Sequence, residues 1–324
     1  MSNLFDIADL RITFDTKRGA LKAVRGVTLS IAKGESVGIV GESGSGKTVM
    51  SRASMGLLRG RRVKREGSVK LNGVELLTMT AKEIRDLWGK QIAMVFQDPM
   101  TALNPVRRVG PQMAEALVKR MGMAKDAADA RVLELLALVH LPEPEKQVVK
   151  YPHQLSGGMR QRVMIAMAIA CEPEILFADE PTTALDVTVQ AQVLELMGEL
   201  RQRLGMAMVI ITHDLGVVAT HTDKIAVMYG VEVVEIAPTK ELFANMRHPY
   251  TEALMKSIPR LDRAPGERMP AIAGTPPDPV ADRVGCAFAA RCAYATDKCH
   301  KEHPELTDAG NGHAYRCFFP LGVK

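Results

Sequence analysis

The amino-acid sequence predicts an α/β fold with a mostly parallel sheet, and two patterns carry that prediction. Short apolar runs typical of fully buried strands occur at residues 36–40, 92–96, 175–178 and 208–211. Helical periodicity lies between them, most clearly in residues 189–204, where apolar side chains recur every three or four positions up to Gly205. Strands that alternate with helices are typical of an α/β domain.

Other segments predict elements around this core. Apolar and polar residues alternate within residues 4–33, which predicts strands with one buried face. Residues 67–74 predict a further strand that ends in an Asn-Gly turn. Helical patterns at 112–120 and 131–139 lie in a largely helical insert, from about residue 100 to 170.

Composition limits the class of protein. The 324 residues are 47% hydrophobic and 24% charged, with a net charge of +5, which excludes a disordered chain and argues only weakly for nucleic-acid binding. The longest strongly apolar run, Val163–Cys171, is far shorter than the roughly 20 residues of a membrane span. Because the N-terminus also lacks a secretory signal pattern, we expect a cytosolic location with reduced cysteines.

Residues 41–48, Gly-Glu-Ser-Gly-Ser-Gly-Lys-Thr, match the phosphate-loop pattern and lie between a predicted strand and a helix. In such a loop backbone N–H groups surround a phosphate at the N-terminal end of the helix. Lys47 would reach the β- and γ-phosphates, and Thr48 would hold Mg²⁺. The alternative is a chance glycine-rich turn. The predicted ATP-binding residues are Gly41, Glu42, Ser43, Gly44, Ser45, Gly46, Lys47 and Thr48.

Two adjacent carboxylates follow the buried strand at 175–178. Asp179 is expected in the Mg²⁺ shell, and Glu180 is expected to polarise the attacking water. The alternative reading is that the pair only caps a helix.

Several motifs together resemble those of ATP-binding cassette (ABC) proteins. Leu155-Ser-Gly-Gly-Met-Arg-Gln-Arg162 resembles the signature motif, and it lies upstream of Asp179 as in that family. Gln97 resembles the Q-loop glutamine, Ala184-Leu-Asp186 the D-loop, and His213 the switch histidine. The resemblance covers about residues 4–235. It implies a RecA-like phosphate-loop core with an antiparallel β subdomain and a helical signature subdomain.

The resemblance also implies roles for individual residues. Lys47, Gln97, Glu180 and His213 are the expected catalytic set, and Gln97 would also bind Mg²⁺ with Thr48 and Asp179. The expected contacts to the nucleotide of an opposite subunit are Ser156, Gly157, Gly158 and Asp186.

Each of these roles has a simpler alternative or a departure from the family. Ser156 also suits the cap of a core helix, and a lone His213 is more often a structural histidine. Arg18 stands near the position where the family has an adenine-stacking aromatic residue, so it is a candidate for stacking on the base.

Two stretches resemble a narrower group. Residues 96–105 and 247–254, with the cysteine-rich end, are similar to the ATPase subunits of bacterial dipeptide/oligopeptide importers, and most of all to the first, D-type subunit. That resemblance implies a peripheral subunit at the cytoplasmic face of the bacterial inner membrane. Its implied partners are two integral membrane permease subunits, a paralogous ATPase subunit in a heterodimer and, indirectly, an extracytoplasmic solute-binding protein.

The alternatives concern the solute and the class of ABC protein. Nickel and glutathione importers share these features. A soluble ABC ATPase that acts on nucleic acid is disfavoured by the single cassette, so we expect no nucleic-acid partner. We expect two domains: residues 1–235 as the ATPase domain and residues 236–324 as an importer-type extension. Within the extension, five prolines between Pro265 and Pro279 predict a linker or extended loop that leads to the cysteine-rich tail.

Four cysteines cluster near the C-terminus at Cys286, Cys292, Cys299 and Cys317. In a reducing compartment this clustering favours a metal site. Four thiolates suit a [4Fe–4S] cluster or Zn²⁺, and the irregular spacing with the importer resemblance favours the cluster. Disulfides and free thiols are the remaining alternatives. Cys171 is expected in the core. The histidines near the four clustered cysteines are expected at the surface, namely His300, His303 and His313.

Overall fold

A computed structural model describes residues 3–183, 185–257 and 272–322. Within these residues the strands are β1 (Phe5–Thr16), β2 (Gly19–Ile31), β3 (Ser36–Val40), β4 (Val63–Leu71), β5 (Val74–Glu75), β6 (Ile92–Val95), β7 (Ile175–Asp179), β8 (Ala207–Thr212), β9 (Lys224–Tyr229), β10 (Glu232–Pro238), β11 (Thr307–Asp308) and β12 (Ala314–Tyr315). The α-helices are α1 (Lys47–Ser54), α2 (Ala81–Leu87), α3 (Pro99–Ala102), α4 (Val109–Met121), α5 (Lys125–Leu138), α6 (Pro144–Gln147), α7 (Gly157–Ile169), α8 (Val187–Leu204), α9 (Leu215–His221), α10 (Thr239–Ala244), α11 (Pro249–Lys256) and α12 (Asp297–Lys301). Short 3₁₀ helices cover Pro152–Gln154 and Ala289–Arg291.

These elements form two compact units. The first consists of Met1–Ala32, Ser36–Thr78 and Ile211–Lys324, and the second of Lys33–Glu35 and Met79–Ile210. The first unit therefore contains the phosphate loop and the described part of the C-terminal tail, and the second contains the predicted helical insert.

An antiparallel sheet in the first unit has the strand order β2-β1-β4-β5. Phe5, Ile7, Leu10 and Ile12 of β1 are buried, and the pairing register shifts between Ile7 and Leu10. Such a bulge lets the same face stay buried on both sides of the shift. The alternation predicted for residues 4–33 is confirmed, and it forms two long strands.

The Asn-Gly turn is also confirmed. Asn72 and Gly73 join β4 to β5 with φ angles of 50° and 80°. Positive φ at both central positions is what a type I′ hairpin turn requires, and Asn and Gly tolerate it best.

The phosphate-loop strand of the first unit lies in a second set of strands, ordered β11-β12-β10-β9-β3. β3 runs parallel to β9, while β10 is antiparallel to β9 and to β12. The core beside these strands includes Tyr229, Tyr250 and Phe288, so a residue of the tail packs with residues of the body. The sequence patterns predicted β3 but missed this contribution of the tail.

The second unit combines buried strands with helices. β8, β7 and β6 lie side by side, and β6 pairs with β7 in parallel, with Ile92 opposite Ile175. The helices predicted at 112–120 and 131–139 are present as the longer α4 and α5. α8 begins after Asp186, whose side chain accepts a hydrogen bond from the N–H of Val189, and it ends at Gly205 in the left-handed conformation.

The length and polarity of the helices show whether any of them could span a membrane. α8 has 18 residues, and its last two turns carry Glu199, Arg201 and Arg203. In the part of the chain that the structure describes, no helix is both long and apolar enough to cross a bilayer.

Candidate functional site

The loop between β3 and α1 has a shape that depends on glycine. Gly41 has a φ of +154°, and a Cβ placed there would lie 2.1 Å from the carbonyl oxygen of Met228. Gly46 has a φ of +93°, and its Cβ would lie 2.6 Å from the carbonyl oxygen of Ala23. A side chain at either position would force the backbone to move. The predicted phosphate loop therefore has the close backbone approach that its glycines imply.

Lys47 opens α1, and its side chain is turned over the loop. Its Nζ donates hydrogen bonds to the carbonyl oxygens of Gly41 at 2.7 Å and Glu42 at 3.0 Å. The lysine is 6% exposed, so its ammonium is fixed beside the loop instead of extending into solvent. This places a cation where the loop N–H groups and the helix N-terminus favour an anion.

A cleft adjoins the loop. It is lined by loop residues 42–45, by Arg25 and Tyr229, and by tail residues that include Pro276 and Pro277. No sequence pattern predicts this contribution of the tail, although Pro276 and Pro277 belong to the predicted proline-rich linker. The linker's earlier prolines, Pro265 and Pro270, lie outside the described residues.

Arg18, the candidate for adenine stacking, lies in the turn between β1 and β2. Its Nη2 is 3.1 Å from Oδ2 of Asp278 in the tail, and its side chain is largely exposed. The stacking role therefore stays a prediction.

In the second unit, the two predicted carboxylates end the buried strand β7. Asp179 is fully buried, whereas Glu180 follows with a φ of +47°. The Glu180 carboxylate accepts hydrogen bonds from Nε2 of Gln97 and from Oγ1 of Thr183, both at 2.9 Å. Two predicted site residues separated by 83 positions, Gln97 and Glu180, are thus in direct contact. A left-handed backbone at a non-glycine residue is strained, and such strain clusters at functional sites.

The signature residues begin helix α7. Ser156 is its N-cap, and the serine hydroxyl accepts a hydrogen bond from the N–H of Met159 at 3.3 Å. Ser156 and Gly157 are exposed, so the start of this helix is open to a ligand. The capping interpretation is therefore correct, and it is compatible with an anion site.

Two further predicted residues lie at the ends of strands or helices. Asp186 caps α8, and His213 is exposed directly after β8. Ala184 of the D-loop lies outside the described residues.

The four tail cysteines line one apolar pocket together with Phe288. Burial raises the pKa of Cys286 and Cys292, and it raises the pKa of Cys317 to about 11. Within the described residues, no group of three or more His, Cys, Asp or Glu side chains is arranged to hold a metal ion. Cys171 is buried, as predicted.

The prediction that His313 lies at the surface is wrong. His313 is 2% exposed, and its Nε2 lies 2.8 Å from Oε1 of Glu235. His300 and His303 are exposed as expected, and Nε2 of His303 lies 2.8 Å from Oε2 of Glu232. The carboxylates that His303 and His313 contact, Glu232 and Glu235 of β10, are buried and lie 71 and 78 residues earlier in the sequence. The residues around each histidine therefore do not indicate its partner.

A glycine-dependent loop that leads into a helix, with a lysine held beside it, defines a phosphate-loop nucleotide-binding protein. Comparison with known proteins narrows this class. Residues 24–183 match the family model described as ABC transporter. Residues 234–299 match the model described as the C-terminal region of oligopeptide/dipeptide transporters.

Relatives match over nearly the whole chain. The dipeptide transport ATP-binding protein DppD of Bacillus subtilis (strain 168) is 47% identical over 98% of this chain and 95% of its own length. The oligopeptide transport ATP-binding protein OppD of the same organism is 46% identical over 97% and 88%. DppD of Escherichia coli (strain K12) is 46% identical over 98% and 97%. The chain therefore belongs to the ABC transporter family, among the dipeptide and oligopeptide transport ATP-binding proteins.

Solved structures agree with this assignment. A dimeric post-hydrolysis state of the ATP-binding cassette MJ0796, bound to ADP and Pi, has a TM-score of 0.65 and 29% identity, over 72% of this chain and 98% of that one. The protein cbiO1 from Clostridium perfringens, part of the ABC transporter complex cbiONQ, has a TM-score of 0.65 and 28% identity, over 75% and 92%. The chain has the ABC ATPase cassette fold, with parallel and antiparallel strands, and it is an ABC ATPase.

Proposed function

We propose that this chain hydrolyses ATP to power the import of dipeptides or oligopeptides through a membrane ABC importer. The observation that carries the proposal is the identity of 46–47% to dipeptide and oligopeptide transport ATP-binding proteins along nearly the whole chain. The match of residues 234–299 to the C-terminal region of such transporters supports it, because that region lies beyond the general cassette.

The phosphate loop binds the nucleotide in this proposal. Its N–H groups and the N-terminus of α1 hold the β-phosphate, and the Lys47 ammonium contacts the β- and γ-phosphates. The glycine-dependent backbone at Gly41 and Gly46 is the geometry in this chain that fits a phosphate. Mg²⁺, when bound, neutralises developing charge on the phosphate oxygens, and Thr48, Gln97 and Asp179 are the residues proposed to hold it.

Glu180 is the proposed general base. Its carboxylate would accept a proton from the attacking water, and the hydrogen bonds from Gln97 and Thr183 orient it for that role. His213 is proposed to contact the γ-phosphate from its exposed position after β8.

We propose that the signature residues act on the nucleotide of a second ATPase subunit. Ser156, Gly157 and Gly158 would offer a hydroxyl and helix N–H groups to that γ-phosphate, and Asp186 would lie beside it. The second subunit would be a paralogue. Two integral membrane permease subunits and, indirectly, an extracytoplasmic solute-binding protein would complete the importer. The chain would lie at the cytoplasmic face of the bacterial inner membrane, with residues 1–235 as the ATPase domain and residues 236–324 as the extension.

We further propose that the four tail cysteines hold a [4Fe–4S] cluster. The four residues line one apolar pocket, which supports a common ligand. A zinc ion would bring four sulfurs to about 2.3 Å from one centre. Within the described residues the cysteine side chains are not arranged around such a centre. The proposal of a cluster therefore rests on the irregular spacing of the four cysteines and on the importer resemblance of the tail. Because burial raises the pKa of Cys286, Cys292 and Cys317, these three thiols are protonated at neutral pH and loading would release their protons.

Iron, acid-labile sulfide and zinc measured on protein purified without oxygen test the cysteine site. We expect about four irons and four sulfides per chain, and loss of both in a Cys299→Ser variant. One zinc per chain without iron would contradict the proposed cluster and would indicate a structural zinc site instead. Exposed His300, changed to Gln, is the matched control and should retain the metal.

Co-purification from solubilised membranes tests the transport function. We expect the chain to purify with two integral membrane subunits, and we expect its ATPase activity to rise when peptide-loaded binding protein is added. Stimulation by nickel or glutathione instead of peptides would contradict the assignment of peptides as the transported solute. A chain with no membrane partner would overturn the importer itself.

A further inference from the structure

One buried arginine connects the C-terminal tail to the phosphate loop. Arg291 ends the 3₁₀ helix Ala289–Arg291, and its side chain is only 4% exposed. Its Nη1 lies 2.6 Å from Oε2 of Glu42, and its Nη2 lies 3.0 Å from Oε1 of the same carboxylate. The two parallel hydrogen bonds make this a bidentate pair of guanidinium and carboxylate, the stronger kind of ion pair.

The guanidinium is held on its other sides as well. Its Nε donates to the carbonyl of Ala273 at 2.8 Å, and Nη2 donates to that of Ile272 at 2.9 Å. Nη1 also donates to the hydroxyl of Tyr229 at 3.2 Å, with the guanidinium 5.6 Å from the centre of that ring. The side chain is charged, since an arginine guanidinium keeps its proton in proteins. Arg291 is therefore a fixed cation against which Glu42 is positioned.

Glu42 carries this contact into the loop. Its N–H donates to the hydroxyl of Tyr250 at 2.9 Å, and its carbonyl accepts from Nζ of Lys47 at 3.0 Å. The same residue thus bonds the tail through its carboxylate and the phosphate-binding lysine through its backbone. A movement of Glu42 would move the carbonyl that orients Lys47.

We propose that Arg291 is a positioning residue for ATP. It fixes the backbone of Glu42, and it neutralises a carboxylate that would otherwise lie uncompensated in a loop that binds a polyanion. Like charges at such short range repel, and the repulsion is stronger where water is partly excluded. The inference rests on ATP binding at this loop, as proposed above.

The test is a double-mutant cycle on the full chain, with affinity for a fluorescent ATP analogue measured by titration and kcat and KM measured on the assembled transporter. We expect Arg291→Gln to weaken ATP binding and raise KM by about tenfold or more, because misplacement of about 1 Å is enough for such a loss. The effect on kcat at saturating ATP should be much smaller. The double variant Glu42→Gln/Arg291→Gln should recover much of the lost affinity, since the unpaired carboxylate is gone, and the loss in Arg291→Gln should shrink at high salt.

Control variants separate this role from simple attachment of the tail. His313→Gln breaks another buried contact between tail and body, at Glu235, and should leave KM unchanged. Arg291→Lys keeps the charge but loses the planar fork, so we expect a KM between those of the wild type and Arg291→Gln. Metal content and the unfolding midpoint of each variant identify any that fail to fold.

Three outcomes would overturn the proposal. A KM within twofold of wild type in Arg291→Gln, an equal rise in KM in His313→Gln, or additive losses in the double variant would each do so. If wild-type protein failed to bind ATP, the proposed function itself would fall. If the wild type binds the ATP analogue tightly and Arg291→Gln binds it equally well, only the role of Arg291 is contradicted.

Discussion

Replacement of Phe288 by alanine tests whether the C-terminal tail shares a core with the phosphate-loop strand. Phe288 is 3% exposed. Its ring centre lies 5.2 Å from that of Tyr229, with the planes nearly perpendicular, and 5.3 Å from that of Tyr250. These two tyrosines also contact Arg291 and Glu42 through their hydroxyls. Loss of the ring therefore leaves a cavity directly behind the groups that hold the loop.

The size of the effect follows from these contacts. Truncation of a buried phenylalanine costs about 3–5 kcal/mol of unfolding free energy, because apolar burial is lost and a cavity remains. Each aromatic pair adds about 0.5–1.5 kcal/mol to area burial, and two such pairs place this site toward the upper half of that range. Phe288→Leu retains most of the volume, so it should cost less than half as much.

Urea unfolding followed by circular dichroism measures this loss. With a slope near the top of the usual range, about 3 kcal/mol/M, the midpoint should fall by on the order of 1 M. Phe319→Ala is the matched control, since this tail phenylalanine is 46% exposed and should change stability by no more than about 0.5 kcal/mol. A loss below about 1 kcal/mol, or one equal to that of the control, would refute the shared core.

Three further predictions concern catalysis, the loop and acid stability. Glu180→Gln should reduce ATP hydrolysis by about 10²-fold or more while ATP binding survives, because only the proton acceptor is lost; hydrolysis within tenfold of wild type would argue against Glu180 as the base. Gly41→Ala should abolish binding of a fluorescent ATP analogue, since its Cβ would lie 2.1 Å from the carbonyl oxygen of Met228. Gly198→Ala, whose Cβ would meet nothing within 4 Å beyond its own helix backbone, should bind normally and gain about 1 kcal/mol of stability. Burial raises the pKa of Glu75, but hydrogen bonds from a serine hydroxyl and two backbone N–H groups outweigh it, so the net pKa is lowered from 4.5. The folded state therefore favours the ionised form, and its contribution to stability at neutral pH is lost as the pH falls through 4.5 and below. Glu75→Gln should show a smaller loss in urea midpoint between pH 7 and pH 3 than wild type, and an equal loss would contradict this account.

Local signals explain what could be predicted from the sequence. The glycines of the phosphate loop, the Asn72-Gly73 turn and the start and end of α8 each depend on residues only a few positions apart. Buried strands such as β7 are recognisable because both faces are apolar. In these cases the physical cause, a permitted backbone angle or a buried face, lies within the segment itself.

Contacts between distant segments were decided by the tertiary structure alone. The burial of His313 against Glu235 and the ion pair of Arg291 with Glu42 join groups 78 and 249 residues apart. No periodicity or spacing encodes such a pair, because each partner alone reads as an ordinary surface charge. Folding buries the Arg291 guanidinium and partly buries the Glu42 carboxylate, and a buried charge needs a partner of opposite sign, so this pair attaches the tail to the phosphate loop.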